Sequence, residues 1–215
     1  MSDLICKNLL IGVSGGVQSA FIAQYLNSFR LNFAENIRLI MTEMSTTMVS
    51  RKVVDTYLTT PSFLSLWDRH EEIRAPHIQL PNWADLFIVV PASANCLGKA
   101  ANGIADDLLS TAILSYSGTI IFAPAMNPLM WENKIVQRNV NILKEVGHYI
   151  VPPLEGISVT TGKWDTGLGP TPEELLIHAK HVRMKELKQG YWAEATSRKP
   201  QTPIEKKLLD LTSNK

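Results

Sequence analysis

The chain has little cysteine: Cys6 and Cys96 are the only two in 215 residues. A disulfide framework is therefore not expected, and both should be thiols in a fold that rests on a hydrophobic core. Neither the cysteines nor the five histidines fall into the clustered pairs that structural zinc needs, so no metal is expected. No apolar run approaches the ~20 residues that cross a bilayer, which argues against a membrane span. Residues 1–7 lack a basic segment leading into a long apolar stretch, and lack a small-residue cleavage site, so a cytoplasmic protein is expected. Charge of one sign is missing too. Lys plus Arg number 21 against 20 Asp plus Glu, without the basic excess that engages a phosphate backbone, so nucleic acid is not an expected partner. The fingerprint G-x-G-x-x-G and the P-loop lysine are also absent, which argues against NAD and ATP.

What is present is an alternation of short apolar runs with helical patterns. Residues 8–13 (NLLIGV), 37–41 (IRLIM), 85–90 (DLFIVV), 119–123 (TIIFA) and 148–151 read as five strands. Between them, 17–29, 46–58, 94–116 (interrupted near Gly103) and 132–146 read as helices, whereas the proline-broken stretch 59–84 reads as loop with short helical turns. Strands alternating with helices predict an α/β fold: a Rossmann-like or flavodoxin-like parallel sheet with helices on both faces. Residues 155–170 hold four glycines around Trp164 and read as a flexible loop or hairpin, followed by a helix from Pro172 to about Glu186. One domain is expected over 1–190, with 191–215 a polar, partly disordered tail.

In an open parallel sheet, ligands bind beyond the carboxyl ends of the strands. Here the segments at those ends are SGGV, TEMS, PASAN and PAMNPLMW. Ser14, Gly15, Gly16 and Val17 offer backbone N–H groups, a hydroxyl and a helix N-terminus, which suit a single phosphate. The same glycines serve equally to make a tight turn. Thr42 and Ser45 could add hydroxyls, or simply cap a helix. Pro91, Ala92, Ser93, Ala94 and Asn95, like the later Pro124–Asn127 run, join proline and small residues to an asparagine. Small residues let a flat ring approach the backbone, and an asparagine can meet a heterocycle edge or a carboxylate, although it is as ordinary in a turn or cap. His77, before the third strand, could exchange a proton near neutral pH, or be an ordinary surface residue.

At these positions the sequence resembles the homo-oligomeric flavin-containing cysteine decarboxylases, whose signature is a histidine, a PASANT motif and a PxMNxxMW motif. His77, the PASANC run from Pro91 to Cys96 and the PAMNPLMW run from Pro124 to Trp131 carry the likeness. It spans roughly 8–172 and includes SGGV, MTE at 41–43 and ANGIADDLLST at 101–111. The departure is Cys96, where threonine is common, and no catalytic role is assigned to it. The resemblance implies FMN, with its phosphate near Ser14 to Val17 and Thr42 and its ring near Ala94, Asn95 and Met126. It implies His77 as active-site base and Asn127 as the grip on the substrate carboxylate, in a trimer or dodecamer.

Two branches of that family differ in how they finish. Direct loss of CO2 from cysteine would leave an unstabilised carbanion, whereas oxidising CH2–SH to a thioaldehyde supplies a place for the electron pair. In the phosphopantothenoylcysteine branch, used for coenzyme A, the resulting enethiol is reduced again with a proton from a cysteine in the substrate loop. The loop at 155–170 has no cysteine. That favours the lantibiotic-type branch, which acts on the C-terminal cysteine of a ribosomally made precursor peptide and releases an aminoenethiol. The TTGKWDTG stretch loosely resembles that branch's substrate clamp, with Met130, Lys163 and Trp164 as candidate peptide contacts, or Trp164 merely as a loop anchor. Rival readings are the coenzyme A enzyme, a catalytically inactive flavin-binding regulatory subunit, and a flavin prenyltransferase, from which PAMNPLMW points away.

Overall fold

The computed structural model describes residues 4–68, 73–157 and 162–197, with side chains as far as Lys188. Five parallel strands, β1 (Cys6–Val13), β2 (Ala34–Met41), β3 (Leu86–Ala92), β4 (Ile120–Pro124) and β5 (Tyr149–Ile150), form one sheet in the order β2-β1-β3-β4-β5. This is the flavodoxin-like order. Alternate residues of each strand enter opposite cores, as a two-residue side-chain period demands when both faces are covered. Leu9, Ile11, Ile88, Val90 and Ile121 pack on one face with Leu26, Phe29, Leu175 and Ala179. Leu10, Phe87, Val89 and Phe122 pack on the other with Leu80, Leu97, Leu109 and Leu143.

The connections carry the helices. The first opens as a five-residue 3-10 turn over Val17–Phe21 and continues as α1 (Ile22–Asn32). The segment expected as one helix over 46–58 is two short ones, α2 (Glu43–Thr46) and α3 (Arg51–Asp55). Ser50 restarts the chain from an extended conformation between them. The proline-broken stretch, expected as loop with short helical turns, contains an eight-residue helix, α4 (Pro76–Trp83). Pro76 sits in its first turn, where a missing N–H costs nothing, and Pro81 only withholds an N–H from the His77 carbonyl. After β3 come α5 (Ala94–Asn102) and α6 (Leu108–Ser115), separated by Gly103 at φ +67, the left-handed conformation that ends a helix. After β4 come α7 (Pro128–Trp131) and α8 (Lys134–Glu145).

Beyond β5 the chain forms an antiparallel hairpin, β6 (Leu154–Ile157) with β7 (Trp164–Leu168), and closes on α9 (Pro172–Ser197). The last helix is longer than expected from sequence, running past Glu186 to Ser197; residues 198–215 of the expected tail lie outside the described residues. Arg183 of α9 clasps the amino edge of the sheet, donating to the Ile5 and Asp85 carbonyls while pairing with the Asp85 carboxylate.

The α5–α6 corner is held by charge. Lys99 pairs with Asp106 at 2.6 Å and Asp107 at 2.8 Å, and Asp107 also caps α6 by accepting the Ser110 N–H at 2.7 Å. Burial alone would raise the Asp107 carboxyl, but the Lys99 ammonium and the Ser110 donors outweigh it and hold it below its ordinary value. Because its folded-state value is lowered, its contribution is complete above the unfolded carboxylate pKa, about 4, and is lost as pH falls through the lowered value. Asp107→Ala is expected to lower the urea-unfolding free energy by about 1–2 kcal/mol at neutral pH. The deficit should shrink as both proteins are titrated into acid.

Candidate active site

The direction of crossover reverses on either side of β1, between β2 and β3, and the four segments named from sequence gather at that switch point. Ser14 ends β1 and ties it across to the end of β3. Its hydroxyl donates to the Pro91 carbonyl at 2.8 Å and accepts from the Ser93 N–H at 2.8 Å, and its own N–H reaches Pro91 O at 3.3 Å. The Ser14 hydroxyl proton is thus committed inside the protein. Ser19, which sequence inspection did not single out, closes the same turn by donating to the Ser14 carbonyl and accepting from the Gly16 N–H.

That closure leaves a cradle of backbone donors. The N–H groups of Gly15, Val17 and Gln18 make no hydrogen bond among the described residues. A Cβ on Gly15 would stand 2.2 Å from Met44 Cγ, so the turn lies against the α2 segment with no space for a side chain. Gly16 is looser: a Cβ there would stand 3.8 Å from Pro91 Cγ and 4.0 Å from the Ala125 carbonyl oxygen. Three free donors on a turn that leads into a helical run suit an anion. Thr42 and Ser45 have the capping roles that the sequence left open. Thr42 Oγ1 accepts from the Ser45 N–H at 3.3 Å, and the buried Ser45 hydroxyl donates back to the Thr42 carbonyl at 2.7 Å. The Thr42 hydroxyl proton is still available to a ligand; that of Ser45 is not.

Pro91 and Ala92 finish β3 as buried residues, and Ser93 caps α5 by accepting the Cys96 N–H at 3.2 Å. Ala94 and Asn95 therefore occupy the first turn of α5, with Asn95 exposed. Cys96 points away into the core, and burial pushes its thiol up to about 12. Asn127 caps α7: its Oδ1 accepts the Leu129 N–H at 2.8 Å, which fixes the amide plane and leaves Nδ2 free of any partner among the described residues. Met126 packs half-buried against the core beside it, and Met130 stands on the exposed face of α7.

The hairpin is built onto this asparagine motif. The Met126 N–H donates to the Gly167 carbonyl at 3.0 Å, and a Cβ on Gly167 would stand 2.5 Å from Met126 O. With φ at +101, Gly167 is required on both counts. Trp164 is 72% exposed on β7 and Lys163, also exposed, precedes it; neither is buried as a simple anchor would be. His77 is the second residue of α4, about 10 Å along the helix axis from its end at β3. Its Nδ1 is buried without a hydrogen-bond partner, unlike an ordinary surface imidazole. Within one chain no hydrogen bond joins His77 to Asn127. Among the described residues no group of three or more His, Cys, Asp or Glu could hold a metal, and no helix is long and apolar enough to cross a membrane.

Comparison with known proteins shows the family to which this fold belongs. The flavoprotein family model matches residues 2–181. Mersacidin decarboxylase from Bacillus sp. (strain HIL-Y85/54728) is 34% identical over 82% of this chain and 91% of its own. The coenzyme A biosynthesis bifunctional protein CoaBC of Bacillus subtilis (strain 168) is 32% identical over 96% of this chain, which spans only 47% of that protein. Among solved structures, MrsD from the same Bacillus strain superposes with a TM-score of 0.71 at 30% identity, covering 82% of this chain and 96% of that one. A PPC decarboxylase in which a cysteine is replaced by serine, complexed with pantothenoylaminoethenethiol, gives 0.70 at 27% identity, covering 81% and 96%. The match over most of the chain, together with the gathering of its motif residues at one sheet edge, places this protein in the flavoprotein family, among the flavin-dependent cysteine decarboxylases.

Proposed function

We propose that this chain catalyses the FMN-dependent oxidative decarboxylation of the C-terminal cysteine of a ribosomally made precursor peptide, releasing an aminoenethiol. The observation that carries this reading is the placement of its thiols. The chain has two cysteines, neither of them in the hairpin segment 154–168. Cys6 lies wholly buried at the amino edge of the sheet, and Cys96 is 6% exposed on the inner face of α5. Burial pushes both thiols up to about 12. No cysteine is in place to protonate an enethiol from the hairpin, so reduction to the saturated thiol has no such donor. The PPC decarboxylase structure, in which a cysteine-to-serine variant holds an aminoethenethiol, fits the same logic. So does the likeness to mersacidin decarboxylase over nearly the whole of that protein.

The free N–H groups of Gly15, Val17 and Gln18, with the Thr42 hydroxyl, would hold the FMN phosphate. Ala94, Asn95 and Met126, beside the Pro91–Ser93 corner, would line its ring. Ser14 belongs to this site through the backbone it positions, since its hydroxyl already serves Pro91 and Ser93. When bound, FMN supplies the two-electron acceptor that lets the substrate's CH2–SH become a thioaldehyde. The half-buried imidazole of His77, whose buried Nδ1 has no hydrogen-bond partner, would accept the thiol proton. Asn127 would donate from Nδ2 to the substrate carboxylate, its orientation fixed by Leu129. Breaking the carbon–carboxylate bond would then release CO2 and move the electron pair into the C=S group, giving an enethiolate that regains the proton held on His77 to become the enethiol.

The exposed apolar side chains Val17, Phe21 and Leu129 around this edge favour assembly with further copies of the chain, as a trimer or dodecamer. Incubated with short peptides ending in cysteine, the purified yellow protein is expected to release CO2 and remove two hydrogens as well. Mass spectrometry distinguishes that product from one that has lost CO2 alone, which would move the protein to the reductive branch. Turnover of phosphopantothenoylcysteine but of no peptide would do the same. His77→Asn and Asn127→Asp should stay yellow and lose turnover by about a hundredfold or more; a colourless variant would mean that the residue holds flavin rather than substrate.

A further inference from the structure

The foot of the hairpin is fastened to the first helical segment by a small polar knot. The Gln18 amide Nε2 donates to the Tyr25 hydroxyl at 2.5 Å and to the Pro170 carbonyl at 3.0 Å, and the Tyr25 hydroxyl donates to the same carbonyl. Tyr25 is 2% exposed, and burial pushes its phenol up to about 12, so it stays a donor across the physiological range. The fit is close on the hairpin side as well: a Cβ on Gly169 would stand 1.8 Å from Gln18 Oε1. Beyond Pro170 the chain is fixed at once by Thr171 and Glu174, which cap α9 reciprocally.

Gln18 therefore faces two ways. Its backbone N–H is one of the free donors of the Ser14–Gln18 turn, while its side chain grips Pro170. At the other end of the same short stretch, Gly167 receives the Met126 N–H directly before Asn127. Between these attachments only Leu168 and Gly169 intervene. We infer that Gln18 and Tyr25 are positioning residues, a latch at Pro170 that sets β6 and β7 over Asn127 and so determines how tightly a substrate is held there. The part that concerns substrate rests on the decarboxylase reading; the latch itself does not.

Two variants test it in the flavin-loaded protein. Tyr25→Phe removes the hydroxyl and keeps the ring packing, and Gly169→Ala displaces Gln18 from the hairpin side. Each is expected to speed amide hydrogen exchange in β6 and β7 by about five- to tenfold, the loss of one net hydrogen bond, with the amides of β1, β3 and β4 unchanged. With a cysteine-terminated peptide, KM should rise by a similar factor while kcat stays within about twofold, as expected when uniform binding is removed. Unchanged hairpin exchange, or faster exchange throughout the sheet, would overturn the latch. A fall in kcat at constant KM would overturn its role in holding substrate. If the parent protein turns over no peptide, the decarboxylase reading fails, and the exchange data still decide whether the latch exists.

Discussion

The bond on which the site depends is the one Ser14 makes across the sheet. β1 and β3 are adjacent, and at their carboxyl ends the chain departs in different directions, one into the Gly15–Gly16 turn and the other into α5. A single buried hydroxyl, donating to Pro91 and accepting from Ser93, holds those two departures together. With that distance fixed, the turn can present free N–H groups while Ser93, Ala94 and Asn95 form the adjacent corner. An unpaired polar group at so buried a position would be costly, so the pairing contributes to both stability and geometry.

Around that splice the site is layered. The Asn127 motif is joined to β3 through the Ala125 N–H on the Ala92 carbonyl, and the hairpin is joined to the motif through Met126 and Gly167. Backbone hydrogen bonds thus run from the sheet edge to the part of the chain proposed to cover substrate. Side chains proposed for chemical roles are set by local capping rules: Asn127 and Ser93 are N-caps, and Thr42 is one as well. Capping and ligand binding do not exclude each other, because an asparagine that accepts with Oδ1 retains two donors on Nδ2.

The five strands and their parallel arrangement were legible because strands buried on both faces write continuous apolar runs such as LLIGV and LFIVV. α4 was legible only as helical turns, because prolines at its first and sixth positions read as breakers, although Pro76 sits where no N–H is needed and Pro81 costs the helix a single bond, to the His77 carbonyl. The Asn127 motif was legible from its own residues, whereas His77 could be picked only by resemblance, since one histidine in a loop-like segment carries no pattern. Its orphaned Nδ1 is the structural sign that sequence could not supply. Gln18 and Tyr25 were not legible because their roles depend on the distant Pro170 carbonyl, which no local spacing records, whereas Ser19 bonds within its own turn and carries no pattern that sets it apart from any other turn serine. The four glycines of the hairpin region were visible as a cluster, but their separate tasks were not: Gly162 and Gly167 adopt positive φ, and Gly167 and Gly169 lie close against Met126 and Gln18.

The central claim is that the reaction stops at the enethiol because no thiol is placed to return a proton. Anaerobic single turnover tests this most directly. On adding one equivalent of cysteine-terminated peptide to the flavin-loaded protein without oxygen, the yellow absorbance should bleach and stay bleached, with one equivalent of enethiol formed and a second turnover blocked until an oxidant is admitted. Recovery of the yellow colour under strict anaerobiosis, with a saturated thiol as product, would contradict the account.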